Sequence, residues 1–103
     1  MKLLTYSLAT LLVFSFSATS HATSIYAGKS KAAAVCSQCH GIRKTSSEAP
    51  FPPLAGRDEE YMENALKQYR DKTRVSEIMN NIAGSLSDRD IDNIASYYSR
   101  LKP

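Results

Sequence analysis

Apolar residues recur at helical spacing in the second half of the chain, and they predict helices rather than strands. The clearest apolar stripe begins after Ser87, which can cap a helix whose first turn is acidic. Its members lie three or four residues apart, as one face of a helix requires: Ile91, Ile94, Ala95, Tyr98 and Leu101. The pattern therefore predicts a C-terminal helix with one buried face.

Three further helices are predicted before this last one. The first is rich in Ala and Lys and extends from Ile25 to about Cys36. Asp58 can cap a second helix that continues to about Tyr69, and the early positions of this helix are acidic, as the helix dipole favours. A shorter helical segment is predicted around Ser76 to Ala83.

The segment from Gly41 to Gly56 is predicted to be a loop. It contains three of the four prolines of the chain, and proline interrupts the interior of a helix. Almost no run of alternating apolar and polar residues predicts a strand. The sequence therefore predicts an all-α fold of three to four helices in one small domain.

The N-terminal residues have the three-part plan of a secretory signal peptide. Lys2 precedes an apolar run to about Phe16, and small residues then lead to Ser20-His21-Ala22. The run is interrupted by Ser and Thr and is shorter than the roughly 20 residues that span a bilayer. We expect cleavage after Ala22, which makes 1–22 a signal peptide and 23–103 the mature domain. We also expect a periplasmic protein with no stable membrane insertion.

The composition of the chain limits its function. The formal net charge is +3, which is too small to indicate nucleic-acid binding, where a concentrated basic face is expected. The chain also has only 3 Phe and no Trp, so little material is available for an apolar core. Domains of this size usually need disulfides, a metal or another internal group.

Both cysteines lie in the stretch AAAVCSQCHGIRK, from Ala32 to Lys44. A closed zinc site needs four ligands, and the mature chain offers only Cys36, Cys39 and His40 once His21 has been removed. A thioredoxin-like dithiol needs a βαβ pattern around the pair, and the sequence predicts none. A local disulfide beside an unused histidine is the plainest alternative.

The spacing C-x-x-C-H is the attachment signature of c-type haem. The thiols of Cys36 and Cys39 would form thioethers with the haem vinyl groups, and His40 would lie under the ring as an axial ligand of the iron. Haem is a large apolar body, so it could also fill the core that the small chain lacks. The sequence therefore predicts one covalently bound haem c with its iron.

The second axial ligand is predicted to be a methionine, as in many electron carriers. Met62 lies within the helix that begins at Asp58, beside its apolar face, where core packing accounts for it. Met79 lies on the short segment before the last helix, from which it can reach the open side of the iron. We therefore expect Met79 to be the distal ligand.

Taken together, these motifs resemble those of class I cytochromes c, in particular the small bacterial cytochromes of the c4 and c-553 type. The similarity rests on CSQCHG, FPPLAG, EIMNNI and LSDRDIDNIASYYSRL, which occur in this order across the mature chain. It implies that His40 and Met79 are the proximal and distal ligands, and that the Pro52 carbonyl accepts a hydrogen bond from His40. It also implies that Leu54 lines the haem pocket and that Gly28 lets the first helix approach the last.

We therefore expect an exported one-electron carrier between redox partner proteins, and not an enzyme. One alternative is a haem-bearing electron-transfer subunit of a periplasmic oxidoreductase complex. Another is a haem sensor or enzyme with an open sixth position on the iron. Arg57 and Arg74 are candidate partners of the haem propionates, because arginine can form a bidentate pair with a carboxylate; the alternative for each is a solvated surface arginine.

Overall fold

The computed structural model describes residues 12–15, 23–43 and 51–103. Every regular element in these ranges is helical, which confirms the all-α prediction. In chain order the elements are α1 (Ile25–Lys31), a π-helical segment (Ala32–Cys36), α2 (Ser37–His40), α3 (Glu59–Asp71), α4 (Glu77–Gly84) and α5 (Asp88–Ser99). The predicted signal peptide lies outside the described residues apart from 12–15.

None of the helices in the described ranges has the length and apolar character needed to cross a membrane.

Helix α5 forms as its sequence pattern predicts. The Ser87 hydroxyl oxygen accepts a hydrogen bond from the Asp90 backbone N–H, and the Asp90 carboxylate accepts one from the Ser87 backbone N–H, each at 3.0 Å. This capping box satisfies two backbone donors that a helix N-terminus otherwise leaves without partners. The predicted stripe is buried along the helix, whereas Leu101 follows the helix end and is half-buried.

The cap of α3 forms at Asp58 as the sequence predicts, and α4 has a cap at Ser76 that the sequence analysis did not assign. The Asp58 carboxylate accepts from the Tyr61 backbone N–H at 2.9 Å, and the Ser76 hydroxyl accepts from the Met79 backbone N–H at 3.3 Å. Helix α3 continues past the predicted end at Tyr69 to Asp71, and Lys72 then stops it with a left-handed backbone (φ 65°). These caps fix the residues at which α3 and α4 begin.

The first predicted helix forms as three consecutive helical segments that differ in their hydrogen-bond pattern. After Lys31 the chain adopts the wider π-helical turn, in which the Ser37 backbone N–H donates to the Ala32 carbonyl. It returns to an α-helix that extends to His40, beyond the predicted end at Cys36. Single π-helical turns inside helices frequently occur at functional sites, and here the turn immediately precedes the C-x-x-C-H motif.

Helices α1 and α5 cross in close contact at Gly28. A Cβ atom on this residue would lie 2.0 Å from the Asn93 carbonyl oxygen and 3.0 Å from the Tyr97 Cβ. The buried Asn93 side chain strengthens the crossing, because its Oδ1 accepts from the Ser24 backbone N–H at 2.8 Å. Only glycine permits this approach, so the crossing fixes α1, and the motif that follows it, against α5.

Replacement of Gly28 by alanine is predicted to lower the free energy of unfolding by about 1–3 kcal/mol, the usual cost of overpacking a core. The clash is with backbone atoms, which cannot rotate away. The matched control is Gly84→Ala, since a Cβ there has no neighbour within 4 Å and alanine is favoured over glycine in a helix by up to about 1 kcal/mol. Urea unfolding of the haem-loaded protein measures both. Equal midpoints for the two variants would contradict the role of the crossing.

Candidate cofactor site

A cavity of about 310 Å³ lies between the C-x-x-C-H turn, the loop that follows it, and helices α3 to α5. Its wall is mainly apolar and includes Leu54 from the loop, Met62 and Leu66 from α3, Ile82 from α4 and Ile94 from α5. The volume lies within the range of small-molecule and cofactor sites. The helices thus border an apolar space beside the packed core.

Cys36, Cys39 and His40 line one side of this cavity, and helix α2 carries the last two. Cys36 and Cys39 are not joined in a disulfide. Burial raises the pKa of the Cys36 thiol to about 11, so this sulfur is protonated at neutral pH. No group of three or more His, Cys, Asp or Glu side chains among the described residues could hold a metal ion, which disfavours the zinc alternative.

His40 is oriented by the loop that follows it. Its Nδ1 lies 2.7 Å from the Pro52 carbonyl oxygen, as the family resemblance implies. A carbonyl oxygen only accepts hydrogen bonds, so the proton is on Nδ1 and the lone pair is on Nε2. The Phe51 ring packs against the imidazole, with centroids 5.9 Å apart. Nε2 is therefore left as a nitrogen that can bind a metal.

Tyr98 connects the end of this turn to α5, and the sequence did not reveal this contact. The side chain is fully buried, and its hydroxyl donates to the Gly41 carbonyl at 2.8 Å. Burial also raises the pKa of the Tyr98 phenol, so the donor stays protonated. The sequence did contain a signal for such a bond, since Tyr98 belongs to the apolar stripe and a buried tyrosine hydroxyl usually has a hydrogen-bond partner. Its partner could not be identified from periodicity alone.

Both methionines of the helical domain line the cavity. Met62 is 5% exposed and belongs to the cluster of core residues. Met79 is half-buried in the first turn of α4, and its backbone is held there by the Ser76 cap. The two therefore differ in environment, since Met62 is almost fully buried whereas Met79 is half-buried.

The polar part of the wall is a cluster of two arginines and two tyrosines. The guanidinium carbons of Arg57 and Arg74 lie 5.9 and 5.8 Å from the centroid of the Tyr61 ring, and that of Arg74 is also 5.5 Å from the Tyr69 ring. These distances are those of cation–π contacts. The structure therefore brings together two arginines that the sequence identified separately, and both line the cavity.

Comparison with known proteins identifies the family of the chain. The sequence model of the family described as "Cytochrome c" matches residues 25–102. The chain is 34% identical to cytochrome c4 of Pseudomonas aeruginosa over 92 residues, which are 89% of this chain and 46% of the relative. It is 39% identical to cytochrome c-554(548) of Halomonas halodenitrificans over 67 residues, 62% of this chain and 81% of the relative.

A further relative is named thiosulfate dehydrogenase electron acceptor and comes from Thiomonas intermedia. It is 38% identical over 72 residues, which are 69% of this chain and 33% of the relative. The chain thus spans about half of the cytochrome c4 of Pseudomonas and about a third of the Thiomonas protein, but most of the Halomonas cytochrome.

An all-α fold whose C-x-x-C-H turn borders an apolar cavity defines the class I cytochromes c, and the chain belongs to the cytochrome c family. It is similar to cytochrome c4, and family membership implies covalently bound haem c with its iron and a role in electron transport.

The residues around the cavity fit this cofactor. Two thiols three residues apart lie beside an imidazole whose Nδ1 is already engaged, and the wall facing them is apolar. The arginine–tyrosine cluster supplies cationic donors at one edge, where the carboxylates of a haem could be bound. Each chemical part of haem c thus has a matching part of the wall.

Replacement of Tyr98 by phenylalanine is predicted to lower the free energy of unfolding by about 1–3 kcal/mol, because it leaves the Gly41 carbonyl without its buried donor. Tyr97→Phe is the matched control. Tyr97 is 8% exposed, and no hydrogen bond of its hydroxyl is found among the described residues. Loss of the Tyr97 hydroxyl should change the free energy of unfolding by less than about 0.5 kcal/mol. Chemical unfolding of the haem-loaded variants tests this, and an equal loss in both would show that the Tyr98 hydrogen bond adds nothing.

Proposed function

We propose that the protein is an exported monohaem carrier of single electrons, with the haem iron bound by His40 and Met79. The observation that supports this most directly is that both side chains line one cavity, with the His40 imidazole oriented for binding through Nε2. A histidine and a methionine together favour a raised reduction potential. With both axial positions filled, no position on the iron is left for a substrate, so the protein is not an enzyme.

In this proposal each site residue has one task. Cys36 and Cys39 form the thioether bonds, and Leu54 contacts the haem on the cavity wall. Pro52 orients His40 through its carbonyl and raises the basicity of the ring, as partners of ligating histidines do. The haem supplies reversible Fe(III)/Fe(II) chemistry. The apolar wall excludes water, and this exclusion also influences the potential.

Arg57 and Arg74 are proposed to bind the haem propionates. Their positions beside Tyr61, at the edge of the cavity, support this assignment. Arg57 is held by the Pro53 carbonyl, to which its Nε donates at 2.9 Å, and the Arg74 Nε donates to the Gln68 side-chain oxygen at 3.2 Å. Each guanidinium thus retains terminal N–H donors for a carboxylate.

The proposal includes export. Residues 1–22 act as a signal peptide that is cleaved after Ala22, and residues 23–103 are the cytochrome domain in the periplasm. The support is the charged, apolar and small-residue order of the N-terminal sequence. Intact mass of the protein from the periplasmic fraction tests this, since the mature chain is expected to begin at Thr23.

A second candidate function is that of a direct electron acceptor in a periplasmic oxidoreductase complex. Two relatives, from Thiomonas intermedia and Stutzerimonas stutzeri, are named thiosulfate dehydrogenase electron acceptors and are 38% and 35% identical to the chain. As a subunit of such a complex, the protein would co-purify with a catalytic chain. As a free carrier it would be isolated alone and would exchange electrons through brief, small contacts.

Replacement of Met79 by leucine is predicted to remove an axial ligand with little change in side-chain volume. We expect loss of the long-wavelength methionine–iron absorption band of the oxidised protein. We also expect the reduction potential to fall by more than about 59 mV, which is a tenfold change in a one-electron equilibrium. Met62→Leu is the matched control and should change neither property. If Met62→Leu causes the loss instead, Met62 is the ligand and the assignment of Met79 is wrong.

Replacement of Arg74 by glutamine is predicted to lower the reduction potential by tens of millivolts, on the order of a screened charge interaction near the haem. The loss of a positive charge stabilises the more positive Fe(III) state. The charge-matched control is Arg89→Gln, on the exposed start of α5 and not on the cavity wall. Potentiometric titration measures both, and an equal shift in the two variants would contradict a local role for Arg74.

A further inference from the structure

The side chain of Asn80 holds together the chain segments that precede Met79. Its Nδ2 donates to the Tyr69 carbonyl at 2.7 Å and to the Arg74 carbonyl at 2.9 Å. Its Oδ1 accepts from the Ser76 backbone N–H at 3.0 Å. One half-buried amide thus uses both donor hydrogens and its acceptor on three backbone groups.

These three partners belong to different parts of the connection between α3 and α4. Tyr69 lies in the last turn of α3, Arg74 lies in the loop, and Ser76 is the N-cap of α4. The loop has little apolar packing of its own, because Val75 is 87% exposed. Hydrogen bonds to Asn80 are therefore a main restraint on the loop, together with those between its residues and Gln68.

The restraint reaches Met79 through Ser76. The Ser76 hydroxyl caps α4 by accepting from the Met79 backbone N–H at 3.3 Å, and Asn80 holds the backbone of that same serine. Loss of the amide would remove the hydrogen bonds that join the end of α3, the loop and the cap at one side chain. The backbone of Met79 would then be held less firmly relative to α3.

We infer that Asn80 is a positioning residue for Met79, which keeps the thioether sulfur available to the haem iron and so weakens the binding of external ligands that compete with it. This inference rests on the proposed ligation of the iron by Met79. It assigns to Asn80 no contact with the haem or the iron. The amide acts only through the backbone that carries the ligand.

The next residue provides a matched control. Asn81 is the same residue type on the same helix, its side chain is exposed, and no hydrogen bond of its side chain is found among the described residues. Asn80→Ala and Asn81→Ala therefore cause the same change in composition and helix propensity. Only the first removes the three hydrogen bonds.

The test is imidazole binding to the oxidised, haem-loaded protein, because imidazole competes with the methionine for the iron. For Asn80→Ala we expect the Kd for imidazole to fall by about tenfold or more, the usual size of effects from the partners of metal ligands. The methionine–iron band should weaken and the reduction potential should fall. Asn81→Ala should match the unmodified protein in all three.

An imidazole Kd for Asn80→Ala equal to that of Asn81→Ala would overturn the inference. If Asn80→Ala yields no folded haem protein, the imidazole Kd of Asn80→Asp is compared with that of Asn81→Ala instead, and equal values would again overturn the inference. It has nearly the same shape and retains the acceptor for Ser76, but it loses the donors to Tyr69 and Arg74.

Met79→Leu separates this inference from the proposed function. An unchanged spectrum and Kd in that variant would refute ligation by Met79 itself. A changed Met79→Leu with an unaffected Asn80→Ala would refute only the role of Asn80.

Discussion

An apolar cavity between short helices needs an occupant, and this requirement connects the fold of the protein to its cofactor. The walls of a cavity of about 310 Å³ lose dispersion contacts when nothing faces them, and a small domain with few large apolar residues has little stability to spare. Haem c supplies the missing apolar surface. The fold and the binding of haem are therefore stabilised by the same contacts.

Helix α5 positions one side of this cavity. It meets α1 at Gly28, where two backbones come into contact, and it meets the end of the C-x-x-C-H turn through the Tyr98 hydroxyl. Contacts with this C-terminal helix thus fix the turn that carries the thiols and the imidazole. On the other wall, hydrogen bonds of the α3–α4 connection set the position of α4. The two sides of the site are positioned by separate parts of the structure.

The parts of the fold that could be predicted from the sequence depend on local chemistry. Ser87 and Asp90 form their capping box from neighbouring atoms, and the C-x-x-C-H spacing indicates its cofactor directly. The π-helical segment before Cys36, the partner of the Tyr98 hydroxyl and the three contacts of Asn80 depend on distant backbone groups. No spacing encodes them. The meeting of Arg57 and Arg74 at Tyr61 likewise required the structure, since 16 positions along the chain separate the two arginines.

The most direct test of the proposed electron carrier, in which both axial positions of the iron are filled, is an absorption spectrum of the purified protein from a host that matures c-type cytochromes. Spectra of the oxidised and reduced protein would be recorded with and without carbon monoxide. We predict a low-spin c-type spectrum that carbon monoxide does not change. A reduced spectrum that shifts with carbon monoxide would mean an open position on the iron and would contradict the carrier function. Absence of haem absorbance would contradict covalent attachment at Cys36 and Cys39.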